Sequence, residues 1–136
     1  MMSENNKLII RRFFEEVYNK GNLETADELV SPGYVSHNKL KLEVLGPAGI
    51  KNAAAIQRQA FPDQVSILND IIAERDMVVV RGHDTGTHTG TPFMGISASG
   101  NKFNVTWIDI FRIADGKLQE AWLEIDREDF RKQLRG

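Results

Sequence analysis

At 136 residues without a cysteine, the chain is long enough to bury about two thirds of its unfolded surface and enclose a small cavity, and it excludes disulfides, thiolate metal sites and cysteine nucleophiles. Seventeen Lys and Arg against 19 Asp and Glu leave a formal charge of −2, which gives no sign of a nucleic-acid or anionic-membrane partner. The opening Met-Met-Ser-Glu-Asn-Asn-Lys lacks the apolar core of a signal peptide, and no apolar run approaches the ~20 residues of a membrane span. The expectation is a cytoplasmic protein forming one domain over residues 1–136.

Helices come first. Ile10, Phe13, Phe14 and Val17, with Tyr18 beside them, follow the spacing of an amphipathic helix that Gly21 stops. Asn22 can cap a second helix with Leu23, Ala26, Leu29 and Val30 inward, ended by Ser31-Pro32-Gly33. Tyr34 to His37 is a short extended piece. Gly46-Pro47 opens a third helix through Ile50, Ala53, Ala54 and Gln57 to about Phe61, because Pro suits a first helical turn. Four strand candidates follow: Val65 to Ala73, Met77 to His88, Lys102 to Ile113 and Lys117 to Asp126. The Gly- and Thr-rich stretch from Gly86 to Gly95 bends or forms a rim loop. A terminal helix from Arg127 to Leu134 is anchored by Phe130 and Leu134.

The last two strands carry the strongest local signal, Asp115-Gly116 between alternating apolar runs, which marks a hairpin. With Asp115 and Gly116 as the turn, Phe111 pairs with Glu120, Asp109 with Trp122, Trp107 with Glu124 and Val105 with Asp126. The period of two then puts these residues on one face. Carboxylates beside tryptophan rings are partly desolvated, which raises their pKa into a useful range for acid-base work. This face therefore reads as a pocket floor; the competing reading is a solvent-exposed face. The opposite face carries Ile108, Ile110, Leu123 and Ile125, an apolar stripe that needs a cover.

Helices followed by a long curved antiparallel sheet make an α+β cone with the helices over one sheet face. Together with Arg58-Gln-Ala-Phe-Pro-Asp63, Gly86-Thr-His-Thr-Gly90, Asp109-Ile-Phe-Arg112, Asp115-Gly116-Lys117 and Glu120-Ala-Trp122-Leu-Glu-Ile-Asp126, this order resembles the SnoaL-like polyketide cyclases. These belong to the nuclear-transport-factor-2-like, or cystatin-like, α+β proteins. The likeness runs from Phe13 to the terminal helix. It implies cofactor-free acid-base chemistry, an aldol-type cyclisation or isomerisation of a small hydrophobic carbonyl compound in a closed pocket. By the Trp-x-x-x-Asp ending, Asp126 is the first candidate for the family's acid/base and Asp109 the second. The strand that would supply a pocket histidine carries Trp107 and Asp109 instead, so any His partner must come from elsewhere.

His37 is one such partner, since imidazole exchanges protons near neutral pH; a rim histidine bonded to a carbonyl is the alternative. His88 shapes a loop or contacts substrate, and His83 reads as structural. No His or carboxylate spacing matches a metal site, so neither metal nor other cofactor is expected. The Tyr18 hydroxyl could donate to an oxyanion, although core packing explains it as well. Arg58 could bind an acidic substrate or form a surface ion pair. Phe14, Phe61, Phe93 and Met94, with Trp107 and Trp122, could line an apolar cavity, and core filling accounts for the phenylalanines and methionine without a ligand. An enzyme and a noncatalytic small-molecule-binding module both remain open. The apolar outer stripe further predicts a homodimer through the sheet.

Overall fold

The computed structural model describes residues 2–38 and 44–136. The first helix, α1 (Met2–Arg12), continues into a wider π-helical segment over Phe13–Asn19. Its i→i+5 bonding, seen again where the Lys20 amide donates to the Glu15 carbonyl at 3.0 Å, sets residues five apart above one another. Phe13 and Tyr18 thus share a face, with ring centroids 5.5 Å apart. A simple 3.6-residue period does not anticipate that pairing. The short α2 (Thr25–Leu29) leads into β1 (Val30–Asn38), then come α3 (Gly46–Ala60), β2 (Val65–Glu74), β3 (Met77–Thr87), β4 (Lys102–Ala114), β5 (Lys117–Ile125) and α4 (Arg127–Arg135).

The strands form one five-stranded sheet in the order β1-β5-β4-β3-β2. The four expected strands pair antiparallel, and β1 joins parallel to β5 at the edge. Ser31-Pro32-Gly33, expected to end a helix, lies within β1. An edge strand tolerates a proline because its outward amide needs no partner.

Irregular registers bend the sheet. On β2 the pairing to β3 slips between Leu68 and Asp70, leaving Asn69 extra. On β5 it slips at Gln119: Ile113 pairs with Leu118, but Arg112 pairs with Glu120. Such bulges increase twist and re-aim every later side chain.

The Gln119 bulge corrects the expected hairpin faces. Asp109 pairs with Leu123, Trp107 with Ile125 and Ile110 with Trp122. Leu123 and Ile125 therefore face the helices beside Trp107 and Asp109, while Trp122 and Glu124 join Ile108 and Ile110 on the outer face. The expected alignment of Trp107, Asp109, Trp122 and Asp126 breaks in half, and so does the outer stripe of Ile108, Ile110, Leu123 and Ile125. The physical cause is one extra residue, which inverts the alternation of a strand beyond it.

Two apolar clusters fill the space between helices and sheet. The larger joins Ile10, Phe13, Phe14 and Val17 to Val78, Val80, Trp107 and Phe111. The smaller packs Phe61, Phe93, Phe103, Val105, Phe130 and Leu134.

Candidate functional site

Within the larger cluster lies a cavity of about 80 Å³, partly open to solvent rather than sealed. One wall is the π-helical segment, through Phe13, Phe14 and Tyr18; α3 contributes Ile50, Ala53 and Gln57. Its floor is the inner sheet face, where the registers align Ser66 with Asp84 and Asp109 with Leu123.

Trp107 organises the floor. Its indole stacks on Phe14 at 5.3 Å and 16°, and its Nε1 donates to Asp84 Oδ1 at 2.9 Å. Room for the indole comes from Gly82, where a Cβ would lie 2.7 Å from the ring. Asp84 Oδ2 accepts from Gln64 Nε2 at 3.2 Å. Burial pushes the Asp84 carboxyl up to about 6, against the opposing pull of hydrogen bonds from Ser66 and Trp107.

Asp109 sits in a drier setting. One of its carboxyl oxygens is buried without a hydrogen-bond partner among the described residues. Burial, reinforced by the negative charge of Asp84, holds its carboxyl well above the usual range. One cavity thus holds two carboxyls whose environments set them apart, Asp84 raised to about 6 and Asp109 raised further by its drier setting and by the charge of Asp84. Tyr18 and Tyr34 add phenols to the polar part of the lining, both pushed above the usual range first of all by burial.

The family model of SnoaL-like polyketide cyclases matches residues 8–134. The chain belongs to that family. Aklanonic acid methyl ester cyclase DnrD of Streptomyces peucetius is 29% identical over 119 residues, covering 82% of this chain and 78% of that protein. DauD of Streptomyces sp. (strain C5), also an aklanonic acid methyl ester cyclase, is 29% identical over the same length, covering 82% of this chain and 70% of its own. Among solved structures, TsrD from Streptomyces laurentii superposes with a TM-score of 0.86 at 30% identity, covering 96% and 95% of the two chains. IdmH from Streptomyces antibioticus gives 0.81 at 27%, covering 96% and 99%. These neighbours share the α+β architecture expected from the order of helices and strands.

As a SnoaL-like chain, the protein distributes the expected site residues over three places. Phe14, Tyr18, Trp107 and Asp109 line the cavity. Phe61, Phe93 and His88 belong instead to the smaller cluster, where the Phe61 ring lies 4.9 Å from Phe93 and 5.1 Å from His88. His88 is fully buried, and its Nε2 lies 2.8 Å from the Thr91 carbonyl. That contact steadies the loop after β3, as does Gly90, where a Cβ would fall 1.7 Å from the Gln59 carbonyl oxygen. Met94 packs against the same cluster.

The remaining candidates lie outside the cavity lining. Arg58 donates to the carbonyls of Tyr18 and Asn19 at 2.9 and 2.7 Å, so it caps the π-helical segment and holds Tyr18 in place. Asp126 is exposed and accepts from the Asp129 amide at 2.9 Å as the N-cap of α4. His37 faces outward, 2.8 Å from Glu120 and stacked on Trp122 at 5.7 Å. His83, on the same outer face, pairs with Asn69 at 2.8 Å.

Asp84, Gln64 and Tyr34 were not among the sequence candidates. Asp84 was within reach: counting by twos along β3 places it on the face of Val78, Val80 and Gly82. Gln64 and Tyr34 carried no such pattern, because a turn and an irregular edge strand deliver them.

Proposed function

We propose that the cavity catalyses proton transfer next to a carbonyl, leading to aldol-type ring closure or isomerisation of a small hydrophobic carbonyl compound without a cofactor. The observation that carries this reading is the pairing in one cavity of Asp109, whose carboxyl is held well above its usual range and has a buried oxygen without a partner among the described residues, with Asp84, whose carboxyl is raised to about 6. In this scheme Asp84 removes the proton α to the substrate carbonyl. The C–H electron pair moves into the enolate, whose oxygen receives a hydrogen bond from Asp109. Preorganised donors at a developing oxyanion are the usual dominant source of catalysis.

For ring closure the enolate carbon attacks a second carbonyl of the same molecule, forming a C–C bond, and the new alkoxide takes the proton from Asp84. For isomerisation Asp84 returns the proton to another carbon. Both products are isomers of their substrates, so the reaction needs no oxidant or reductant. Tyr18 is placed to supply a further donor. Asp126 and His37, which the sequence favoured, are given no chemical role here, since one caps a helix and the other faces outward.

At about 80 Å³ the cavity is well below the ~300–1,000 Å³ of common ligand sites. It accommodates the reacting end of a ligand, with the remainder extending through the opening. The largely apolar lining by Phe13, Phe14, Val44, Ile50 and Ala53 also favours a second reading, a noncatalytic small-molecule binder. Deuterium exchange separates the two: a panel of 1,3-dicarbonyls and enones incubated in D₂O should incorporate label at the acidic carbon and yield isomeric products. Binding without exchange or product would leave the binder.

We also propose that a second copy of the chain covers the outer sheet face. Ile67, Ile72 and Ile108 are 40%, 64% and 45% exposed there, an apolar surface that self-association through a two-fold interface would bury. Light scattering should report a dimer that Ile110→Lys, on the same face, converts to a folded monomer; a wild-type monomer would refute it.

A further inference from the structure

The chemistry above uses Asp84 and Asp109 and leaves a third polar group of the cavity without a task. Gln64 lies just before β2, and its amide is fully engaged at one end. Its Nε2 donates to Gln57 Oε1 at 2.8 Å and to Asp84 Oδ2 at 3.2 Å. Both partners are acceptors while Asp84 is ionised, so the amide has one permitted orientation. Turning it over would set three oxygens against one another. Asp84 is itself held by Trp107 at 2.9 Å, which makes the chain Gln57–Gln64–Asp84–Trp107 a fixed frame.

The other end of that amide is the anomaly. Among the described residues Gln64 Oε1 is buried and has no hydrogen-bond partner, like the Asp109 oxygen, and both residues line the same cavity. A buried acceptor left unpaired destabilises the fold unless something donates to it. Asp109, whose carboxyl burial holds well above its usual range, can donate to a ligand carbonyl in its acid form, whereas the Gln64 oxygen can only accept. The two groups therefore present opposite demands to one bound molecule.

We propose that Gln64 is a specificity-determining residue, its Oε1 selecting carbonyl compounds that also carry an O–H, either a hydroxyl or the enol of a 1,3-dicarbonyl. The proposal rests on the reading of the cavity as a carbonyl site and adds to it the second polar feature of the ligand. A site built to accept a hydrogen bond discriminates strongly against analogues that lack the donor, because its own group is then stranded. Gln64 is a binding residue in this account, separate from proton transfer.

The test uses the full chain with Trp122→Phe, which leaves Trp107 in the cavity as the fluorescent reporter. Dissociation constants are measured for 3- and 4-hydroxyacetophenone, their methoxy counterparts and unsubstituted acetophenone. The expected result is that at least one hydroxy compound binds ~10-fold or more tightly than both its methoxy counterpart and acetophenone, the worth of one buried hydrogen bond. The unsubstituted compound controls for the bulk of the methyl group. In Gln64→Met, or in Gln64→Leu should the first not fold, the preference should fall to about unity while acetophenone affinity changes little. Equal binding of all compounds by the wild type, binding of none, or a preference that survives loss of the amide would overturn the proposal. Deuterium exchange keeps the two ideas apart. Exchange that depends on Asp109 without any hydroxyl preference refutes only the role of Gln64, and a Gln64-dependent preference without exchange refutes only the catalytic reading.

Discussion

Two aromatic clusters lie over the same face of one sheet, and they differ in what intrudes on them. Around Phe61 the rings of Phe93, Phe103 and Phe130 close to 4.6–5.9 Å, and the polar group among them, His88, reaches a backbone carbonyl. Around Phe14 the rings of Phe13, Tyr18 and Trp107 pack at 5.3–5.8 Å, but Asp84 and Asp109 enter from β3 and β4 and a cavity remains. Ring density is similar; the carboxyls make the difference. A phenylalanine in place of Asp109 would fill space and need no partner, whereas a carboxyl there needs room and a donor or a proton. The first cluster is fold, and the second holds the groups available for chemistry.

The sharpest way to break that contrast is to remove a ring from each cluster. Phe61→Ala should cost about 3–5 kcal/mol, as a large-to-small change in a filled core does, and Phe14→Ala, beside space that already exists, should cost less. Urea denaturation of both variants measures the gap, and equal losses would show the cavity wall to be ordinary core.

Asp109→Asn next separates function from stability. Turnover on whatever substrate the panel identifies should fall by ~10²-fold or more. The folded protein should become more stable near pH 8, since the amide keeps the shape without the cost of burying an ionisable acid. The sign follows from the raised carboxyl. Its folded state holds the proton more tightly than the unfolded state, so the stabilisation is complete below the unfolded pKa and is lost as pH rises toward the folded one. Thermal melts across pH should therefore show the advantage of the variant shrinking in acid. A variant less stable than wild type at pH 8 would contradict the burial argument.

The pH profile tests Asp84 in the same way. Because its carboxyl is pushed up to about 6, the rate should rise as pH passes through that value and the base ionises. In Asp84→Asn that limb should disappear along with most of the activity. A rate flat from pH 5 to 8, about one unit below and two above the shifted carboxyl, would move the base elsewhere.

Asp126→Ala should have the smallest effect. Losing an N-cap costs ~1 kcal/mol of stability, and turnover should stay unchanged because the carboxylate caps α4 outside the cavity lining. A large loss of turnover with normal stability would restore Asp126 to the chemistry.

Much of this molecule is written in local pattern. The helical spacing around Ile10 to Val17, the Pro47 helix start, the Asp115-Gly116 turn and the alternation of β3 and β4 each depend on residues a few positions apart, and all reappear in the fold. Trp107 and Asp109 on one inward face were legible for the same reason. Trp122 and Asp126 were not. A single extra residue at Gln119 inverts the strand after it, and nothing in a period-of-two reading marks where a sheet must bend. The site depends on such long-range facts. Whether a carboxyl is an acid or a base at neutral pH is set by how much water its surroundings exclude, and Asp109 owes its burial to a helical segment some ninety residues earlier in the chain. The sequence by itself determined the family, most of the elements and the residues able to carry charge. Tertiary structure decided which of those residues lost their water, because desolvation belongs to a packed environment and to no residue alone.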